Sequence, residues 1–244
     1  MPAQPLCNRL VYRSKETEMK KLVLTLLVLL CGWVAIAQQS DLRSVGSFNG
    51  VKAGEAIDVY LKKGDKESVR VEVTGTDASN VLTEVAGGYL RIHMRDGRYK
   101  NKSVRVYVTY VSLTKIHASS AANIFSEGTI KATNLEISTS SAASIELTID
   151  AGSVTVEASS AGDVLLEGKA KILDVDVSSA GEIDTYLVDS ETVSASASSG
   201  GSVKVSASKE LTARASSGGS IRYRGSPAKT NTNSSSGGSV KKAL

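Results

Sequence analysis

The segment Ser119-Ser120-Ala121-Ala122-Asn123-Ile124 returns in recognisable form at 140–145, 159–164, 178–183, 198–203, 216–221 and 235–240. The spacing is about 19 residues, inside the range that marks solenoids, where each unit buries its apolar face only against its neighbours. A chain with this recurrence must stack its repeats.

Aligned on the first serine, the sequence falls into columns. Five residues after it stand Ile124, Ile145, Val164, Ile183, Val203, Ile221 and Val240, all β-branched. Three residues before it stand Ile116, Ile137, Val156, Val175, Ala195, Ala213 and Thr232, and five before it Thr114, Leu135, Val154, Leu173, Val193, Leu211 and Thr230. Between these two run Lys115, Glu136, Thr155, Asp174, Ser194, Thr212 and Asn231, giving the apolar–polar alternation of strands. No segment carries apolar residues at helical spacing, which excludes a leucine-rich repeat, so strands alone fill each turn. The fold class expected is all-β, a right-handed parallel β-helix with coils of about 19 residues, each allowing three short strands and three bends. With aromatic residues at 5% of the chain, the core must be built from small and β-branched side chains. The Ser-Ser-Ala/Gly-Ala/Gly column suits a tight bend admitting only small side chains, with serine hydroxyls stacked to bond along the axis. Because no histidine repeats with them, these serines read as structural and not as nucleophiles.

Upstream of the clear repeats, strands are expected at Ile57–Leu61, Val69–Thr74, Tyr89–Met94, Val104–Tyr110 and Leu113–Ala118, as degenerate coils. A short helical turn is expected between Thr76 and Val85, ended by Gly87-Gly88, and a polar loop from Arg95 to Lys102. Toward the C-terminus the inward residues shrink to Ala and then Thr, so the last coil should fray or cap the stack.

The front of the chain has a different character. Met19-Lys20-Lys21, an apolar run from Leu22 to Ile36 and the small-x-small site Ala35-Ile36-Ala37 read as a signal peptide over residues 19–37, cleaved before Gln38. Residues 1–18 read as an upstream extension from a misassigned start codon, 38–47 as a short linker, and 48–244 as one β-helix domain. Cys7 and Cys31, the only cysteines, would leave with the leader, and lipidation at Cys31 is disfavoured by Leu30 where a small residue is wanted. No further stretch could cross a bilayer. Of the net charge of +4, the leader's five Lys/Arg and two acids account for all but about +1, a surface with no bulk affinity for nucleic acid.

Candidate chemistry is sparse. Glu157 and Asp176 fall one coil apart in one column, close enough to couple as paired catalytic acids, with Asp174 nearby. They define the alternative of a carbohydrate-active β-helix enzyme, a polysaccharide lyase or hydrolase. The main reading is a solvated strand face, since Ser138 and Ser196 flank the pair in its column. A calcium site would need more oxygen ligands than Asp174 and Asp176 supply. His93 and His117 are the only histidines, and each reads as a surface residue. Arg91, Arg95, Arg98, Tyr99, Lys100, Lys102 and Arg105 form the densest basic cluster and the candidate ligand-binding residues, able to meet an anionic glycan or lipid headgroup. No metal or cofactor is expected, and without a phosphate-binding glycine loop, redox, nucleotide and triad chemistries are disfavoured.

Phe48-x-x-Val51, Gly54-x-Ala56-Ile57-Asp58-Val59, Tyr89-Leu90-x-Ile92, the recurring Ser-Ala/Gly-Gly-x-Ile/Val coils and Ile221-Arg222-Tyr223-Arg224-Gly225-Ser226-Pro227 together resemble the putative auto-transporter adhesin head GIN domain family, exported proteins of Bacteroidetes-type bacteria. The resemblance spans about Phe48 to Lys241. Asp58 stands where the family often has Asn, and several bend glycines are serine here. The resemblance implies an exported, non-enzymatic, adhesin-like binding or scaffold protein of the cell envelope, periplasmic or at the outer surface. Its expected partners are a glycan or an envelope protein, or a second copy through the thin terminal coil. No β-barrel translocator is expected after residue 244.

Overall fold

The computed structural model of the chain describes residues 39–243. The expected extension and signal peptide, and both cysteines, lie outside the described residues. What is described is a β-solenoid of about seven turns with coils about 19 residues apart.

The regular part comprises β9 (Asn123–Thr139), β10 (Ser144–Ala158), β11 (Asp163–Val177) and β12 (Glu182–Ala197), followed by β13 (Ser202–Ser206), β14 (Glu210–Ala215), β15 (Ser220–Arg224), β16 (Lys229–Ser234) and β17 (Ser239–Lys242). Successive coils pair in parallel with the register that the columns predict: Ile124, Ile145, Val164, Ile183, Val203, Ile221 and Val240 are axial neighbours. All but Val240 are fully buried. Each such side chain contributes about 1.5–3 kcal/mol of burial before chain entropy opposes it. The strands β9 to β12 run 15–17 residues without interruption. The coil therefore bends within continuous strands instead of breaking into three short ones.

The Ser-Ser column is a type I′ turn in every coil. Its two central residues have positive φ, as at Ser120 (52°) and Ala121 (60°), and Ala122 N–H donates to the Ser119 carbonyl at 3.1 Å. The turns also bond to one another. Ala121 N–H donates to the Ser141 carbonyl, Ala142 to Ser160, Ala161 to Ser179, Ala180 to Ser199, Gly200 to Ser217 and Gly218 to Ser236, all at 3.0–3.2 Å. The axial ladder expected of serine hydroxyls is thus made by backbone groups.

The N-terminal third departs from a simple stack. Before the repeats come β1 (Gln39–Arg43), β2 (Gly50–Ala53), β3 (Asp58–Lys63), β4 (Ser68–Thr74), β5 (Val81–Ala86), β6 (Tyr89–Met94), β7 (Ser103–Tyr110) and β8 (Lys115–Ala118). Strand β2 lies between β6 and β8, and β3 between β7 and β9, all parallel. The chain therefore makes one coil, builds the next on one side of it, then returns to the other side and continues to the C-terminus. Strands β4 and β5 pair antiparallel with β7 and β6, and β1 pairs antiparallel with β4. These are not degenerate coils. They cover the outer edge of the coil formed by β6 and β7 with antiparallel strands. Residues 39–43, expected within a linker, form β1. The helical turn expected over Thr76–Val85 shrinks to one 3₁₀ turn at Ala78–Asn80, and Gly87-Gly88 (φ 61° and 80°) closes a two-residue β5–β6 hairpin instead of ending a helix.

Candidate binding face

One outward column runs the length of the molecule. In register from the N-terminal end it reads Arg91 on β6, Lys52 on β2, His117 on β8, Ser138 on β9, Glu157 on β10, Asp176 on β11, Ser196 on β12, Arg214 on β14 and Asn233 on β16. Neighbouring strands lie about 4.8 Å apart, so the column sets polar groups at regular intervals on a hydrogen-bonded backbone. Alternation explains it: the residues flanking each position, such as Ile116 and Ala118 or Val156 and Ala158, point into the core and are buried.

Glu157 and Asp176 are register neighbours here, as the column alignment predicts. Both are exposed, and neither side chain makes a hydrogen bond or ion pair within the protein. Asp174 lies one column over, between Thr155 and Ser194.

The basic cluster is divided. Arg91 belongs to the column just described, whereas Arg105 on β7 faces Asp58 and Glu72 across its two neighbouring strands. Arg95, Arg98 and Lys100 are exposed on the loop that joins β6 to β7. Tyr99 packs against the core and its hydroxyl donates to the Arg95 carbonyl at 2.9 Å. Lys102 lies over the Tyr99 ring, 5.6 Å from its centroid, and donates to the Glu55 carbonyl at 2.9 Å. Glu55 and Ala56 are the central residues of the positive-φ turn that continues the ladder, with Ala56 N–H donating to Ser120. Lys102 therefore caps the turn ladder, and desolvation holds its ammonium below the usual lysine range. It is a structural residue, and the seven predicted ligand residues do not form one patch.

Around the N-terminal part of the column lie two shallow depressions of about 250 and 310 Å³ that share Lys52 and Arg91. The first also has Tyr89, Lys115, His117, Glu136 and Ser138 on its walls. Lys115 pairs with Glu136 at 2.9 Å, and Nδ1 of His117 lies 2.6 Å from the Ser138 hydroxyl. Partial burial, with a smaller contribution from Lys52, holds the His117 imidazole below its ordinary range. His117 is half-buried rather than a free surface residue. His93 lies on the wall of the second depression, its Nδ1 3.1 Å from the Met94 carbonyl.

Two features had no sequence signal. Tyr60, Tyr107 and Phe125 stack across β7, β3 and β9 with centroids 5.1 and 5.3 Å apart, and the Arg70 guanidinium covers Tyr107 at 4.1 Å. A groove of about 730 Å³ opens where Val205-to-Glu210 spans five residues against seven from Thr185 to Thr192 in the coil before, so the chain retreats inward. Ala151, Ala170 and Ser190 line it, between the charged columns Asp150–Lys169–Asp189 and Lys171–Glu191. Among the described residues no group of His, Cys, Asp and Glu is arranged to hold a metal, and no helix is long and apolar enough to cross a membrane.

Parallel coils with long polar outer columns define a β-solenoid protein. The chain belongs to the putative auto-transporter adhesin, head GIN domain family, whose model matches residues 47–227. It is similar in structure to a putative adhesin from Bacteroides fragilis NCTC 9343 (TM-score 0.77, 19% identity, covering 85% of this chain and 97% of that one). It is also similar to a putative adhesin from Parabacteroides merdae ATCC 43184 (TM-score 0.73, 17% identity, 85% and 96% covered) and to a putative lipid binding protein from Parabacteroides distasonis ATCC 8503 (TM-score 0.65, 16% identity, 85% and 97% covered). At these identities the likeness establishes the fold. A comparison with curated proteins gave no match.

Proposed function

We propose that this chain is an exported, non-enzymatic cell-envelope protein that acts as an adhesin-like binding module, engaging an extended partner along the outer faces of its solenoid. The observation that carries the reading is the unbroken register of the column from Arg91 to Asn233, a line of hydrogen-bonding side chains on a backbone already ordered by strand pairing. A surface ordered before binding loses little backbone entropy on association, which favours recognition of long, repetitive partners such as glycans. The family's description as an adhesin supports the same reading. The enzymatic alternative rests on the adjacency of Glu157 and Asp176, but paired catalytic acids need unlike environments that push their protonation apart, and both lie open to solvent on one strand face.

The test is a screen of the purified protein against a glycan array and a panel of polysaccharides, reading retention and new reducing or unsaturated ends together. Retention without cleavage is expected. Cleavage that disappears in Glu157→Ala/Asp176→Ala while the fold persists would overturn the proposal and install the enzyme in its place.

A further inference from the structure

Side chains directly opposite one another on adjacent strands interact, and like charges at such positions destabilise a sheet. Elsewhere on this solenoid, several cations that meet a register neighbour meet a carboxylate. Lys115 pairs with Glu136, Lys209 with Glu191 at 2.7 Å, and Lys204 with Glu182 and Asp184 at 2.9 and 3.0 Å. Two places break this pattern: Arg222, whose register neighbours are Lys204 and Lys241, and the N-terminal end of the long column, where none of the basic groups has a carboxylate partner and two depressions adjoin them. Lys52 stands between Arg91 on one side and His117 on the other, and makes no ion pair. Arg91 has Glu84 of β5 as its outer register neighbour but makes no ion pair with it. Burial of the backbone does not require this arrangement, since polar uncharged residues fill the same column further down. Three basic side chains in line, bordering two depressions, form a site that an anionic group would complete.

We propose that Lys52, Arg91 and His117 form a clamp for the sulfate or carboxylate groups of an acidic polysaccharide that lies along the column. The proposal rests on the binding-module reading and gives it a ligand class. A polysaccharide fits better than a membrane surface because the column continues from the cations into Ser138, Glu157, Asp176 and Ser196: the serines donate to and accept from a sugar, and the two carboxylates, which repel anions, accept from sugar hydroxyls, so the acidic groups of the polymer sit over Lys52, Arg91 and His117. The depressions are walled mainly by polar and charged side chains, and none of the exposed large apolar residues, Leu42, Val85, Val111, Leu165, Ile172 and Leu187, lines either of them. Arginine supplies a planar, bidentate donor set suited to sulfate and carboxylate, and lysine a mobile point charge. His117 adds a conditional charge. The groups facing it are Lys52 from β2, Ser138 from β9, and, around the same depression, Arg91, Tyr89 and the Lys115–Glu136 pair. The free imidazole titrates below its ordinary range and an anion beside it favours the imidazolium. Affinity should therefore rise as the pH falls from neutrality through that range.

The experiment measures binding of the purified protein to heparin, polygalacturonate and neutral dextran, and to vesicles of phosphatidylserine with phosphatidylcholine. Retention of heparin or polygalacturonate, weakened by salt and strengthened at lower pH, is expected. Lys52→Ala/Arg91→Ala should weaken it at least tenfold with an unchanged thermal melt, His117→Asn should flatten the pH dependence, and Lys62→Ala/Lys63→Ala, which removes the same charge from two exposed lysines elsewhere, should leave it unaltered. Equal loss in the charge control, or no loss in the Lys52/Arg91 variant, overturns the clamp, as does retention of the vesicles alone. If the protein retains dextran or another neutral glycan but neither acidic polymer, the clamp falls and the binding module stands. Silence against every glycan removes both.

Discussion

The second and third residues of each Ser-Ser turn are held at positive φ, a region that costs a residue with a Cβ about 1–2 kcal/mol. Two hydrogen bonds per turn, one within it and one to the next coil, return about 0.5–1.5 kcal/mol each, so burial in the flanking strands must offset the rest. The sequence distributes this strain unevenly. Where the core residues are Ile, Val and Leu the turns are Ser-Ala, and where they shrink to Ala and Thr the turns become Ser199-Gly200, Ser217-Gly218 and Ser236-Gly237. Glycine relieves the strain in the coils whose burial contributes least. Accordingly, Gly200→Ala, a position with open space around it, should lower stability by about 1 kcal/mol in chemical denaturation. No measurable loss would show that the turn strain is taken up elsewhere. The turn's position and small residues were legible in the sequence, but its handedness was not, because Ser and Ala do not announce positive φ.

Between neighbouring strands, electrostatics follow the register. Lys204 on β13 bridges Glu182 and Asp184 of β12, while burial first and the Glu182 carboxylate second push Asp163 on β11 upward and Lys204 pulls it down. A carboxyl raised in the folded state stabilises the fold below its unfolded pKa and loses that contribution as the pH rises through the folded value. Lys204 limits the loss. Lys204→Ala should raise Asp163 further and destabilise the protein by up to about 1 kcal/mol at pH 7, discounted for partial exposure, and by less at pH 3 where the carboxylates are protonated. Equal effects at the two pH values would reject the assignment. The five strands expected before the repeats are present with ends shifted by at most two residues at either terminus. Strand β5 was missed because Val81–Ala86 lacks strict alternation, although Gly87-Gly88 before Tyr89 is a two-residue hairpin signal.

At the scale of the whole molecule, the two ends differ. Antiparallel strands β1, β4 and β5 cover the first, while the last coil leaves β16 and β17 exposed, with Lys229, Lys241 and Lys242 on its edge strands. Charged side chains on an open edge discourage pairing with another chain. Lys241→Val/Lys242→Val should therefore promote self-association, read as a sedimentation coefficient that rises with concentration. An unchanged coefficient would mean that these lysines do not guard the edge.

By itself the sequence determined the repeat, the inward columns and the outward position of Glu157 and Asp176, because a strand's period of two and a constant coil length suffice to place a side chain. Only the tertiary structure decided that Lys52 lies between Arg91 and His117. The segments β2, β6 and β8 come together because the chain builds one coil outward before reversing to the other side, and no local period encodes that order. The same reversal scattered the apparent basic cluster between Arg91 and Arg105, turned Lys102 into a cap on the turn ladder, and left three separated residues as the stronger site.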